Sequence, residues 1–322
     1  MSAAPADAEQ LGARLRERDL TAAPSVLNLV ESRGEAARAQ TAALLAAVSP
    51  AALGGEAPAH IVGVTGPPGV GKSTLLSRLA AEWRRRDRTV AVLAVDPSSR
   101  RSGGALLGDR ARIERDPDDM GLFIRSSATG DRLGGLAPAT RAAAAALAVA
   151  FDVVVIETVG VGQSETEVVD VADTVAVVVQ PGSGDVLQFL KSGIMEIPDV
   201  LVVNKTDLGA SAVRARADLG AALRSLGPTA ADTAVVAVSS LSPGSGIAEL
   251  VDTLDEHRAA LDLPARRLRG RRRHALADFT AEHGQRGLRA LGGRREAERW
   301  LATQDPSSDV ATLQRALEER CA

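Results

Sequence analysis

The sequence predicts an α/β fold: a doubly wound, mainly parallel sheet flanked by helices. Two observations predict it. Short runs of Val, Ile and Leu recur at 61–64, 90–95, 122–124, 153–156, 175–179, 200–203 and 235–238, mostly without in/out alternation. Strands buried on both faces of a parallel sheet read this way. Helical patterns lie between them at 73–86, 139–150, 212–225 and 247–260. Such alternation places ligands beyond the carboxyl ends of the strands.

Residues 1–58 precede the first strand. Apolar positions at Leu11, Leu15, Val26, Leu27, Val30, Leu44, Leu45 and Val48 predict two or three amphipathic helices, broken at Pro24 and ended by Ser49-Pro50. The α/β domain spans 59–262. In 263–322 the pattern changes to polar helices, with Trp300 and a closing helix near Val310–Arg320.

With 322 residues, 45% hydrophobic and 25% charged, the chain has enough apolar mass for a large core. No apolar run reaches the ~20 residues that span a bilayer. The start, MSAAPADAEQ, lacks a secretory pattern, and the one cysteine, Cys321, has no internal partner. A cytoplasmic protein without membrane contact is expected. A net charge of −3 argues against general nucleic-acid binding. The tail is nonetheless basic, through Arg266, Arg267, Arg269, Arg271, Arg272 and Arg273. These read as a solvated helix face or as a partner patch. Against 35 Arg stand only three Lys: Lys72, Lys191 and Lys205. A lysine kept against that bias marks a place where a compact ammonium is required.

Two of the three fall in motifs. Gly66-Pro67-Pro68-Gly69-Val70-Gly71-Lys72-Ser73-Thr74 is a full GxxxxGK[ST] match between a strand and a helix. Its backbone N–H groups would cradle phosphates, Lys72 would reach the β- and γ-phosphates, and Ser73 would ligate Mg²⁺. Glu157 ends the strand 153–156, where a P-loop NTPase keeps a carboxylate for Mg²⁺ and its water, and the N–H of Gly160 would meet the γ-phosphate. Asn204-Lys205-Thr206-Asp207 is an NKxD element, in which Asp207 would accept from guanine N1–H and N2–H₂. Lys205 would lie along the base, Asn204 would tie this loop to the P-loop, and Ser239-Ser240-Leu241 would meet guanine O6. GTP is therefore expected over ATP. Asp96, at the end of 90–95, reads either as a magnesium-side carboxylate or as a turn residue; Asp109 lies in a Gly-rich stretch and reads first as a loop residue.

Together these segments resemble the methylmalonyl-CoA mutase-associated GTPases of the MeaB/MMAA type, once labelled ArgK transport kinases, within the SIMIBI class of P-loop GTPases. The matching text is GPPGVGKSTL, AVDPSS, GGALLGDRARI, FIRSSATGDRLGGL, ETVGVGQSE, PGSGD and VNKTDL. The resemblance implies a GTPase chaperone of an adenosylcobalamin-dependent acyl-CoA mutase, in which GTP hydrolysis to GDP gates cofactor loading and protects or reactivates the mutase. It also implies Ser73, Asp96, Asp109 and Glu157 around Mg²⁺, and a switch over 180–191 including Gln180, Asp185 and Lys191. The terminal segments would be a helical extension and a homodimerisation arm. FIRSSATGD departs from the more usual FIRPSPSSG, and Arg110 stands where Lys is common.

No general base is evident; Gln163, near Gly160, reads first as a solvent-facing residue. Slow turnover raised by a partner is expected. The alternatives are a metal-insertion GTPase, a small-molecule kinase and a protein that binds GTP without hydrolysing it. His60, His257, His274 and His283 are scattered in sequence, which disfavours the first.

Overall fold

The computed structural model describes residues 8–32, 34–96, 116, 118–128, 136, 138–158, 167–182, 198–225, 227 and 232–321, with side chains in the strands up to 95 and 126 at their outer ends. They fall into two compact units. One takes 1–59, 141–150 and 262–322; the other takes 60–140 and 151–261. The first and last segments of the chain thus share a unit.

The helical unit begins with α1 (Ala8–Arg16), α2 (Ala23–Glu31), α3 (Glu35–Ala47) and α4 (Pro50–Leu53). Leu11, Leu15, Val26, Leu27 and Leu44 are buried among them. As expected, α3 ends just before Ser49-Pro50, but Pro24 corrects the sequence reading. Pro24 lies in the first turn of α2, and Pro50 opens α4 behind a Ser49 cap whose hydroxyl accepts from Ala52 N–H. A first-turn residue has no intrahelical N–H bond to lose, so Pro24 starts its helix rather than breaking one, and Pro50 both follows the end of α3 and starts α4.

The α/β unit runs through β1 (His60–Thr65), α5 (Lys72–Arg85), β2 (Val90–Asp96), β3 (Leu122–Ala128), α6 (Pro138–Leu147, continuing into the helical unit), β4 (Val153–Glu157), β5 (Thr174–Val179), β6 (Val200–Val203), α7 (Ala210–Ser225), β7 (Ala234–Ala237) and α8 (Ile247–Ala260). The strands form one parallel sheet in the order β3-β2-β4-β1-β5-β6-β7. Every residue of β1, β4, β5 and β6 is buried, as double-faced coverage requires. On one face the core joins Val62, Val64, Val155 and Val178 to Leu75, Leu79 and Trp83 of α5. Register brings Val64 of β1 and Ala94 of β2 level with Glu157 of β4, so three strands end side by side.

The helical unit resumes with α9 (Leu263–Ala290), α10 (Arg294–Ala302) and α11 (Val310–Cys321), which bury Leu276, Phe279, Leu301, Leu313 and Leu317. Here the reading of the arginine cluster is corrected at three positions. Arg267 donates to the carbonyls of Ala57 and Ala59, Arg271 bonds Glu56 and the Pro306 carbonyl, and Arg272 donates to the Ala302 carbonyl. These forked guanidinium groups saturate loop carbonyls that lie beside α9. Arg267, Arg271 and Arg272 are therefore neither a solvated face nor an open patch, whereas Arg269 and Arg273 are exposed.

Candidate active site

The phosphate-binding loop leaves the centre of the sheet. Gly66 follows β1 at φ +140°, and a Cβ there would stand 2.1 Å from the Val178 carbonyl oxygen. No side chain fits. Val70 is buried and anchors the loop's far arm, while Pro68 and Gly69 face outward. Gly71, at φ +93°, caps α5. The first turn of α5 therefore aims its unbonded N–H groups, and the positive end of its dipole, at the concavity of the loop. Lys72 is buried, and its Nζ donates to the carbonyls of Gly66 (2.7 Å) and Pro67 (3.1 Å), so the ammonium arches over the loop. Thr74 lies on the exposed side of the same turn.

Ser73 faces the neighbouring strand end. Its hydroxyl donates to Glu157 Oε1 at 2.9 Å, and Glu157 is buried. A hydroxyl and a carboxylate held this close form a pair of hard oxygen donors, the chemistry that suits Mg²⁺. Beneath them the Thr158 hydroxyl donates to that of Thr65 at 2.8 Å, and Thr158 N–H donates to the Val64 carbonyl. These contacts fix the β4 end against β1. Asp96 closes β2 in the same row of strand ends, with its side chain outside the described set. Asp109, Gly160, Gln163, Asp185 and Lys191 lie outside the described residues.

The base-reading loop follows β6. Asn204 is buried and works in both directions: Nδ2 donates to the Val70 carbonyl (2.9 Å), and Oδ1 accepts from the Ser240 hydroxyl (2.8 Å). Lys205 adopts φ +60°, a left-handed conformation that is costly for a side-chain-bearing residue. Its Nζ donates to the Gly69 carbonyl (2.9 Å) and to Gln180 Oε1. Asp207 sits exposed in a 3₁₀ turn, Thr206–Leu208, and its Oδ1 accepts from the Ser239 hydroxyl at 2.9 Å. Both serine hydroxyls thus hold other site side chains, while Leu241 stands 59% exposed at the rim. Sequence reasoning missed Arg78 of α5, whose Nε donates to the Ser240 carbonyl, and the Thr65–Thr158 pair. No motif marks either.

Comparison with known proteins then decides the family. Residues 23–286 match the model of the methylmalonyl Co-A mutase-associated GTPase MeaB. The chain belongs to this family. MeaB relatives include a probable GTPase of Mycobacterium tuberculosis, 42% identical over 84% of this chain and 80% of that one. Another is the mitochondrial methylmalonic aciduria type A homolog of Caenorhabditis elegans, 41% identical over 63% of this chain and 54% of that one. A crystal structure described as a LAO/AO transport system kinase superposes with a TM-score of 0.65 at 28% identity, covering 99% of each chain. As a MeaB-family P-loop GTPase, the chain binds guanine nucleotide. No described helix is long and apolar enough to cross a membrane.

Proposed function

We propose that this GTPase is a chaperone of an adenosylcobalamin-dependent acyl-CoA mutase, with methylmalonyl-CoA mutase the first candidate, and that GTP hydrolysis gates cofactor loading and protects or reactivates the mutase. The family match supports the partner. For the nucleotide, the supporting observation is Asn204, which bonds the P-loop at Val70 and the 239–241 loop at Ser240 while Asp207 projects beside it. A carboxylate in that place pairs with guanine's two donors and is left unpaired by adenine.

In this reading the P-loop amides and Lys72 bind the phosphates and stabilise the charge of the transferring phosphoryl group. Ser73 and Glu157 would hold Mg²⁺, with Asp96 and Asp109 as the further carboxylates. Bound there, the ion neutralises β- and γ-phosphate oxygen charge. Gly160 reports the γ-phosphate, while Gln180, Asp185 and Lys191 carry the nucleotide state toward the mutase. Gln180 supports this through its bond to Lys205, which would sit against the base. Because Ser239 and Ser240 direct their hydroxyls to Asp207 and Asn204, and Ser239 N–H donates to the Ser245 carbonyl, guanine O6 is left to the backbone N–H groups of Ser240 and Leu241. A homodimer through the 263–322 arm, a cytoplasmic setting and no nucleic-acid contact complete the proposal.

The test is phosphate release from GTP by the full chain, alone and with a purified adenosylcobalamin mutase. The mutase should accelerate release, Lys72→Ala should abolish it, and Asp207→Asn should remove GTP selectivity. Equal rates with and without mutase, together with failure to co-elute, would reject the chaperone role. Phosphate appearing on an added small molecule instead of in solution would favour a kinase. For a metal-insertion role, the described residues offer one cluster of three ligand-type side chains, Glu282, His283 and Glu318, and it belongs to the helical unit.

A further inference from the structure

The far edge of the sheet carries a groove that the nucleotide chemistry does not use. It measures about 570 Å³, lies between α7 and β7, and is lined by the apolar Val213, Ala217, Leu223 and Val235 together with Arg216 and Arg224. Its lining contains, among the described residues, two guanidinium groups and no carboxylate. Among the described residues neither Arg216 nor Arg224 makes an ion pair or hydrogen bond. Val213 is 72% exposed, so the apolar lining reaches the surface.

The backbone beside the groove is equally open. β7 is last in the sheet order. Just beyond it, Val238 donates to the Val203 carbonyl and accepts from Thr206 N–H, both on the β6 side. Strand alternation then turns the N–H and C=O of Val235, and the C=O of Thr233, outward. Among the described residues none hydrogen-bonds them.

The geometry points to a docking site for an extended acidic segment of a partner protein, added at β7 as an eighth strand. Arg216 and Arg224 are eight residues apart, about 12 Å along the axis of α7. In an extended strand, residues i and i+4 share a face about 13 Å apart, with i+2 between them. Carboxylates at i and i+4 would meet the two arginines, and an apolar i+2 would cover the apolar lining. Outward groups of Val235 and Thr233 would supply the main-chain bonds, as in other strand additions. Two uncompensated cations this far apart, with an apolar strip between them and a free strand edge alongside, suit such a segment better than one compact anion. This inference does not depend on the nucleotide or on the mutase.

The test is fluorescence anisotropy with the full-length chain and a labelled nonapeptide: Glu at the third and seventh positions, Val at the fifth, Thr elsewhere. Binding should weaken at least tenfold in R216E/R224E and return when the peptide's two Glu are replaced by Lys. Val235→Pro removes an outward N–H without removing a ladder bond, and should also weaken binding. GTP affinity, unchanged in all variants, serves as the folding control. Three results would overturn the proposal: no binding at millimolar peptide, equal binding to wild type and R216E/R224E, or equal binding by a scrambled peptide. Arginine-dependent binding of dodecanoate without peptide binding would reassign the groove to a small amphipathic anion.

Discussion

At the scale of single residues, the site depends on positions where one atom decides the outcome. Gly71→Ala places a methyl 2.7 Å from Asn204 Nδ2 at a φ of +93°. It should lower GTP affinity at least tenfold in calorimetry, because it disturbs the bond that joins the two loops. Ser239→Ala leaves Asp207 in place but removes the hydroxyl that orients it. Affinity for GTP should fall three- to tenfold, about 1 kcal/mol, with ATP still rejected. The motif residues were legible because phosphate and guanine chemistry demand fixed residue types at short, fixed spacing. Arg78 was not, since it reaches a carbonyl 162 positions away and no local pattern records that bond.

At the scale of elements, α9 is held by its arginines and conditioned by a buried imidazole. Arg271→Ala would leave Glu56, whose side chain is 12% exposed, with only the longer 3.9 Å pair to Arg267, and would remove the bond to the Pro306 carbonyl. A loss of about 1–2 kcal/mol in urea unfolding is expected. His274 is 8% exposed, with no hydrogen-bond partner at Nε2 among the described residues. Burial first, then the charges of Arg141 and Arg273, push its pKa from 6.5 down to about 3. The unfolded chain takes up this proton below about pH 6.5, and the folded chain only near 3. The contribution is therefore complete above 6.5 and declines as the pH falls. Between pH 7 and 5 it removes about 2 kcal/mol, and a His274→Phe variant should show a flatter urea midpoint across that range. Buried His60, whose pKa burial also lowers, acts in the same direction. Strand positions were readable from their valine runs. The arginine cluster was not, because charge density looks the same in sequence whether it faces water or carbonyl groups.

For the whole molecule, ligand linkage gives a direct check. If Ser73 and Glu157 complete a magnesium site, GDP with Mg²⁺ at a hundred times its dissociation constant should stabilise the fold by about 2.7 kcal/mol. Thermal melts should rise with GDP and Mg²⁺ but not with ADP and Mg²⁺, and Glu157→Gln should remove the magnesium increment.

The strand order also bears on how the chain is made. β1 emerges first, yet its sheet neighbours are β4 and β5. About 90 residues separate it from β4, a wait of roughly 5 to 20 seconds at ordinary translation speed. During that interval β1 has neither of its sheet neighbours to pair with. Ribosome-bound chains stalled before residue 150 should leave this segment open to proteases or chaperones, and protection should begin once β4 has cleared the exit tunnel.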